Sequence, residues 1–351
     1  MTELRRILVI DEGSPGHLVQ SRGLAREMAA QSGAALAEYP VRLSLRGVFR
    51  PLLRSACGLA RRGLPDGLLR LAYRLPEAPP PAAEAIVVSG GRGFCYAVSL
   101  ARRSGAKLIY CGDPAPLPAR WCDVVVSPQP LPGHPGALGS GMLLTEISPQ
   151  RIAGQGDALR QRFAQTGGSL LAALLIGGDS RSHRYTAADW QALIDAVNHL
   201  GSQGWRWLVS TSRRTPPAVE ARLRAGIRAD YLLQAVWWHA APARVLPAFL
   251  DAATLVLVTQ DSLSMLSEAV AAGKPALALA PRQVLPSPVI ESVLAPAADA
   301  GYLRRVPLVE LAGYRYVAAQ FARQAAAHPA ALAARVLGLA GLSPCEIGNA
   351  S

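Results

Sequence analysis

The run Thr259, Gln260, Asp261, Ser262, Leu263, Ser264, Met265, Leu266, Ser267, Glu268, Ala269 follows an apolar stretch at 254–258 and has the composition of a strand end feeding a helix. With Ser262 or Asp261 as the cap, the first-turn amides point outward and the positive end of the helix dipole favours a phosphate there. Glu268 falls four residues beyond Ser264, on the same helix face and one turn further in. A carboxylate at that place can accept hydrogen bonds from two ribose hydroxyls. The plainer reading makes Glu268 an ordinary helix acid, yet burial beside Leu266 and Ala269 without a partner is costly.

Other strand ends carry related chemistry. Gly177, Gly178 and Asp179 form a bare-backbone loop suited to a pyrophosphate. Thr211, Ser212, Arg213, Arg214 and Thr215 join hydroxyls to two guanidinium groups, either a diphosphate clamp or a capping turn with solvated arginines. Nearer the start, Asp11, Glu12, Gly13, Ser14, Pro15, Gly16 and His17 lead from a strand directly into a helix. His17 there is a candidate base near neutral pH, or else a solvated histidine on a simple turn, and Asp11 and Gly16 are candidate acceptor contacts. Gly90, Gly91, Arg92, Gly93 and then Gly112, Asp113, Pro114 end two later strands at the same edge. Gly91 and Arg92 join the acceptor candidates, and Asp113 is a second candidate catalytic carboxylate or an ordinary turn former.

These loops need parallel sheets to line them up. Short aliphatic runs alternate with helical segments of ten to fifteen residues, which predicts an α/β fold with helices on both sheet faces. Ligands of such sheets bind beyond the carboxyl ends of the strands. Strands are expected near 5–10, 35–41, 85–89, 106–111 and 122–127, then near 171–176, 205–210, 230–236, 254–258 and 275–280. Helices are expected at 17–31, 186–201 and 262–272, with an Ala-rich helical tail over about 308–341. At 351 residues the chain suits two domains, 1–150 and 151–312, followed by a helical segment 313–351.

Five scattered cysteines (Cys57, Cys95, Cys111, Cys122, Cys345) and six histidines show no metal-ligand spacing, so neither a metal nor a cofactor is expected. No long uncharged apolar run and no leader pattern appears, which predicts a cytoplasmic protein. The net charge is +12, and residues 42–75 supply +7 of it through eight arginines set against Asp66 alone. Leucines rather than aromatics interleave with these arginines, which favours an anionic membrane surface over nucleic acid. Arg42, Arg46, Arg50 and Arg54 recur every four residues beside Leu45, Val48, Phe49 and Leu52, the pattern of an interfacial helix or of a basic helix packed on the first lobe.

Several of these motifs, taken in order, resemble one family. Asp11 with Pro15, Gly16, His17 and Gln20, then Ile176–Gly178, Ser210–Pro216, and Thr259–Glu268 with Gly273, Lys274 and Pro275 are similar to bacterial relatives of the plant elongated-mitochondria fission factor, regarded as GT-B glycosyltransferases. The layout also resembles, more distantly, the GT-B transferase that adds N-acetylglucosamine to the lipid-linked peptidoglycan precursor. The resemblance implies two Rossmann-like domains facing across a cleft, with a nucleotide-sugar donor on the second and an acceptor on the first, and a metal-independent transferase. Together with the basic, leucine-rich segment, this predicts a membrane-associated acceptor, such as a lipid-linked species, a lipopolysaccharide core or another surface glycolipid, and a protein peripheral on the inner face of the cytoplasmic membrane. Where relatives carry a Gln/Asp/Pro turn this chain has Cys111, Gly112, Asp113, Pro114. A 2-epimerase of sugar nucleotides on the same fold and a non-catalytic membrane scaffold are the alternatives.

Overall fold

The computed structural model describes residues 2–45, 49–321 and 328–344. Arg46, Val48 and Cys345, named above, lie outside them. The chain divides into two units, Met1–Glu146 with Ala327–Ser351, and Ile147–Ala326. The boundary thus falls four residues before 150, and the end of the chain returns to the first unit.

The first unit is built on strands β1 (Arg6–Asp11), β2 (Ala35–Pro40), β3 (Ala85–Ser89), β4 (Lys107–Cys111), β5 (Val124–Ser127) and β6 (Ala137–Gly139). They pair in the order β2-β1-β3-β4-β5-β6, all parallel. Central strands such as β3 are buried along their whole length, as strands covered by helices on both faces must be. Helix α1 (Pro15–Ser32) starts with proline at its first position, where the missing N–H costs nothing. The strand order reverses between β1 and β3, so the loops after these two strands flank one crevice at the carboxyl edge.

The arginine-rich segment does not form the single helix that its four-residue repeat predicts. Arg42–Leu43 is a short strand paired antiparallel with Tyr73–Arg74, and helix α2 begins only at Arg50 and runs to Leu59. Arg42 is drawn to β1, where its guanidinium meets the Asp11 carboxylate at 2.8 Å and the Asp11 carbonyl. Tertiary pairing overrides the period there. Helix α3 (Asp66–Ala72) follows, and α4 (Phe94–Ser104) packs against α2 with Phe94 to Ala101 buried.

The second unit repeats the plan with β7 (Leu170–Ile176), β8 (Trp205–Thr211), β9 (Leu232–Val236), β10 (Leu255–Thr259), β11 (Ala276–Ala280) and β12 (Leu303–Pro307). Their order is β9-β8-β7-β10-β11-β12, again parallel, and the reversal falls between β7 and β10. Helices α5 (Ala187–Ser202), α6 (Pro217–Gly226), α7 (Leu263–Ala271) and α8 (Pro288–Asp299) lie in the crossovers. The expected continuous tail helix is broken. Leu308–Gly313 is a 3-10 turn, and among the described residues of this stretch only His328–Ala340 forms an α-helix, α9. Leu332, Ala333, Val336 and Leu337 of α9 share a core with Ile7, Val9, Leu24 and Met28 of the first unit.

Candidate functional site

Each unit gathers its polar residues at its own strand-order reversal. In the first unit the loop after β1 carries Glu12, which is only 4 % exposed. One carboxylate oxygen of Glu12 accepts the Nδ1–H of His17 at 2.6 Å, and the other accepts the Gly93 amide at 2.8 Å. With Nδ1 occupied in this way, the neutral imidazole keeps its Nε2 lone pair free to take a proton. The histidine side chain is 43 % exposed, so a proton donor can reach it. Gly90, at φ +82°, lies flat against this pair: a Cβ there would come within 2.1 Å of Glu12 Oε1 and 2.2 Å of His17 Nδ1.

The other candidates of this unit stand apart from the pair. Asp11 accepts the Gly13 amide and binds Arg42; burial acts to raise its pKa, but the guanidinium and the amide hold it below the usual carboxylate value. Asp113 is exposed and accepts the Ala115 amide at 2.9 Å, the Asx turn of an ordinary turn former. Among the described residues no bond joins it to His17. Gly16 and Gly91 are exposed, and Arg92 is an exposed arginine without a partner among the described residues.

In the second unit the loops after β7 and β10 meet as the strand order requires, but their bonding differs from the expectation. The Gly177 amide donates to Thr259 Oγ1 at 2.7 Å and the Gly178 amide to Asp261 Oδ2 at 3.2 Å, so neither faces outward for a pyrophosphate. These glycines serve close approach instead: a Cβ would meet Asp261 Oδ2 at 2.2 Å from Gly177, and the Arg214 carbonyl at 2.2 Å from Gly178. Ser262 occupies the cap position of α7 without a side-chain capping bond, and its hydroxyl lies 3.5 Å from that of Ser264. Asp261 is no cap either. Its fully buried carboxylate accepts the Tyr185 hydroxyl at 3.0 Å and forms an ion pair with Arg214 at 2.7 Å.

Gln260 is likewise committed inside the fold. Its Oε1 accepts from Arg305 Nε at 3.3 Å, which turns its amino group toward His183 Nε2 at 3.2 Å. That nitrogen must then be an acceptor, so the ring proton sits on Nδ1, beside Ser182 Oγ at 3.0 Å. Burial lowers the pKa of His183, in keeping with a neutral ring. Arg305 also makes a two-pronged pair with Glu291 of α8. The Ser212 hydroxyl accepts the Arg214 amide at 3.2 Å, and Arg213 is exposed with no partner among the described residues.

Glu268 differs from Asp261 and Gln260. Its carboxylate, one turn into α7, has no hydrogen bond or ion pair to another described residue, and burial pushes its pKa up to about 7. A partly desolvated acceptor without a donor among the described residues is suited to a ligand that brings its own hydroxyl donors. Tyr185, His183, Arg305 and Glu12 were not singled out from the sequence. The first three come from loops and a strand far from residue 260, and only a strand-order argument could have joined them. Glu12 was within reach, since a carboxylate five residues before a helix-start histidine is a pairing worth testing. No group of three or more potential metal ligands occurs among the described residues.

Two Rossmann-like sheets, each with polar loops at its reversal, define the GT-B class. Solved structures agree on the fold. MnaA from S. aureus, determined with UDP, matches with a TM-score of 0.57 at 12 % identity, covering 98 % of this chain and 100 % of that one. MurG from Acinetobacter baumannii gives 0.50 at 15 %, covering 96 % and 98 %. The UDP-GlcNAc 2-epimerase from Neisseria meningitidis, bound to UDP-GlcNAc, gives 0.50 at 10 %, covering 95 % and 100 %. The mitochondrial fission ELM1 family pattern matches residues 15–331, and the chain belongs to that family. No curated protein matches it.

Proposed function

We propose that the protein is a glycosyltransferase that takes a nucleotide sugar on its second unit and transfers the sugar to a membrane-associated acceptor. The observation that carries this reading is Glu268, a half-buried carboxylate without a partner among the described residues, six residues into the helix that starts at the strand-order reversal. The ribose hydroxyls of a nucleotide supply the donors it lacks, while the diphosphate takes the α7 N-terminus and Arg214. The charge of the leaving diphosphate is then met by a guanidinium and a helix end, so the reading calls for no metal or cofactor. His17, oriented by Glu12, removes the proton of the acceptor hydroxyl.

The membrane part rests on α2 and α3. Leu52, Leu59, Leu68 and Leu71 are at least half exposed there, Leu59 at 84 %, with Phe49 beside them. Arg50, Arg61, Arg62, Arg70 and Arg74 of the same segment are exposed as well. Exposed leucines and arginines in one segment suit the interface of an anionic bilayer, and a glycolipid acceptor resides in such a surface. Among the described residues no helix is long and apolar enough to cross a membrane. Arg54 is spent on the Pro116 carbonyl and Arg42 on Asp11, so neither belongs to this surface.

A 2-epimerase is the second reading, drawn from the likeness to the Neisseria enzyme; it would convert a nucleotide sugar with no acceptor present. The test is a thermal-shift series with UDP, GDP, CMP and dTDP, followed by the matching sugar nucleotides with and without membrane lipid. At least one nucleotide should raise the melting temperature, and sugar should leave the nucleotide only when lipid is added. Absence of any nucleotide effect would favour a non-catalytic scaffold instead.

A further inference from the structure

Asp261 presents a puzzle for a phosphate site: a carboxylate at the start of α7 repels the very group proposed to bind there. Its surroundings resolve this. The side chain is wholly buried, and its charge is shared among the Tyr185 hydroxyl, the Gly178 amide and the Arg214 guanidinium. Tyr185 is itself fixed, stacked on Trp190 at 4.8 Å between ring centroids, with its amide held by Asp179. Arg214 stands differently. Its side chain is 43 % exposed, a single terminal nitrogen faces Asp261, and the rest of the guanidinium has no partner among the described residues. A guanidinium with one side tied to a buried anion loses little further rotamer freedom when its other N–H groups meet phosphate oxygens. Since Asp261 directly precedes the cap residue Ser262, this guanidinium is held beside the free amides of the α7 N-terminus.

We propose that Asp261 is a positioning residue which, braced by Tyr185 and the Gly178 amide, locks Arg214 so that its open side receives the diphosphate of the donor. The inference rests on the nucleotide-sugar reading and deepens it. It assigns the two arginines unequal roles, Arg214 held in place for the phosphates and Arg213 unconstrained. It also accounts for Gly177, whose missing Cβ leaves the room that the Asp261 carboxylate fills.

The test compares Kd for the nucleoside diphosphate that stabilises the protein best with Kd for the same nucleoside lacking phosphate. Both are measured by calorimetry on the full chain and on the variants R213M, R214M, D261N, Y185F and the R214M/D261N double variant. A positioning role changes the ratio of the two constants, whereas general damage to the fold changes both together. R214M and D261N should each reduce the preference for the diphosphate by about tenfold or more, the scale of one lost charged hydrogen bond. The double variant should be no worse than either alone, and nucleoside binding and R213M should stay near the unaltered protein. Y185F keeps the carboxylate and should produce a smaller loss of the same kind, which preserves the test if D261N does not fold. An unchanged ratio in both D261N and Y185F overturns the inference while leaving the functional reading intact. Failure of the unaltered chain to bind any nucleotide overturns both.

Discussion

Replacing Glu268 with glutamine should make the unliganded protein more stable at pH 8 while removing its response to nucleotide. The carboxyl has an ordinary pKa of 4.5, and burial in the folded chain pushes it up to about 7. The folded state therefore holds this proton more tightly than the unfolded state. The associated stability is fully present below pH 4.5 and is lost as pH rises through about 7. Each pKa unit corresponds to about 1.4 kcal/mol, so ionising Glu268 costs the folded state about 3 kcal/mol once the pH is well above 7. Glutamine has nearly the same shape and no such ionisation. The variant should exceed the parent by up to about 3 kcal/mol at pH 8, or roughly 6 to 12 °C in melting temperature for a unit of this size, and should match it near pH 4.5. Urea unfolding followed by tryptophan fluorescence is a fitting assay, because five of the six tryptophans belong to the second unit. At about a hundred times its Kd, the best nucleotide should stabilise the parent by about 2.7 kcal/mol and the variant far less. A parent-to-variant difference that is the same at pH 5 and pH 8 would refute the account of Glu268 as a desolvated, unpaired acid.

The same group should make nucleotide binding proton-linked: ribose hydroxyls favour the ionised carboxylate, so affinity measured by calorimetry should rise from pH 6 to pH 8 and then level off. H17A should lower nucleotide release in the presence of membrane lipid by about 10²–10⁴-fold while leaving nucleotide Kd unchanged. G90A should lower the melting temperature of the first unit, because its Cβ would overlap Glu12 and His17 and its φ of +82° disfavours a side chain; a cost of about 1–3 kcal/mol is expected. Changing Leu52, Leu59 and Leu71 together to serine should weaken binding to phosphatidylglycerol vesicles on the order of a hundredfold or more in a sedimentation assay, without loss of secondary structure by circular dichroism.

The strands that are continuous apolar runs bounded by turns, such as LLAALLI at 170–176 and LVLVT at 255–259, were legible because burial on both faces leaves little room for polar residues. Two of the edge strands were not. β6 is three residues among glycines and prolines, and β12 carries Arg304 and Arg305 on a sheet edge, so neither shows an apolar run. The arginine repeat from residue 42 misled for another reason. A four-residue period marks a helix only when local preference decides, and at Arg42 an ion pair to Asp11, thirty-one positions away, decides instead. Within each unit's own site one residue could be named: His17 because it stands in the first turn of α1 just after a strand end, and Glu268 because it lies on α7 four residues beyond Ser264. Asp261 was read as a cap because the sequence shows the helix that follows it but not Tyr185 and Arg214, which the sheet brings to it from seventy-six and forty-seven residues upstream.

The return of α9 to the first unit constrains the order in which the protein can assemble on the ribosome. The second unit is one uninterrupted segment, whereas the first lacks part of its core until Leu332 to Leu337 arrive. Its edge lacks the pairing of Thr2 with Leu342 for as long. Residues 147–321 can thus reach their final structure during synthesis, while the sheet of the first unit, translated before them, waits for α9. Until then the apolar faces of α1 and β1 remain open to chaperones or to a neighbouring nascent chain, and a stop codon before residue 328 would leave them so permanently.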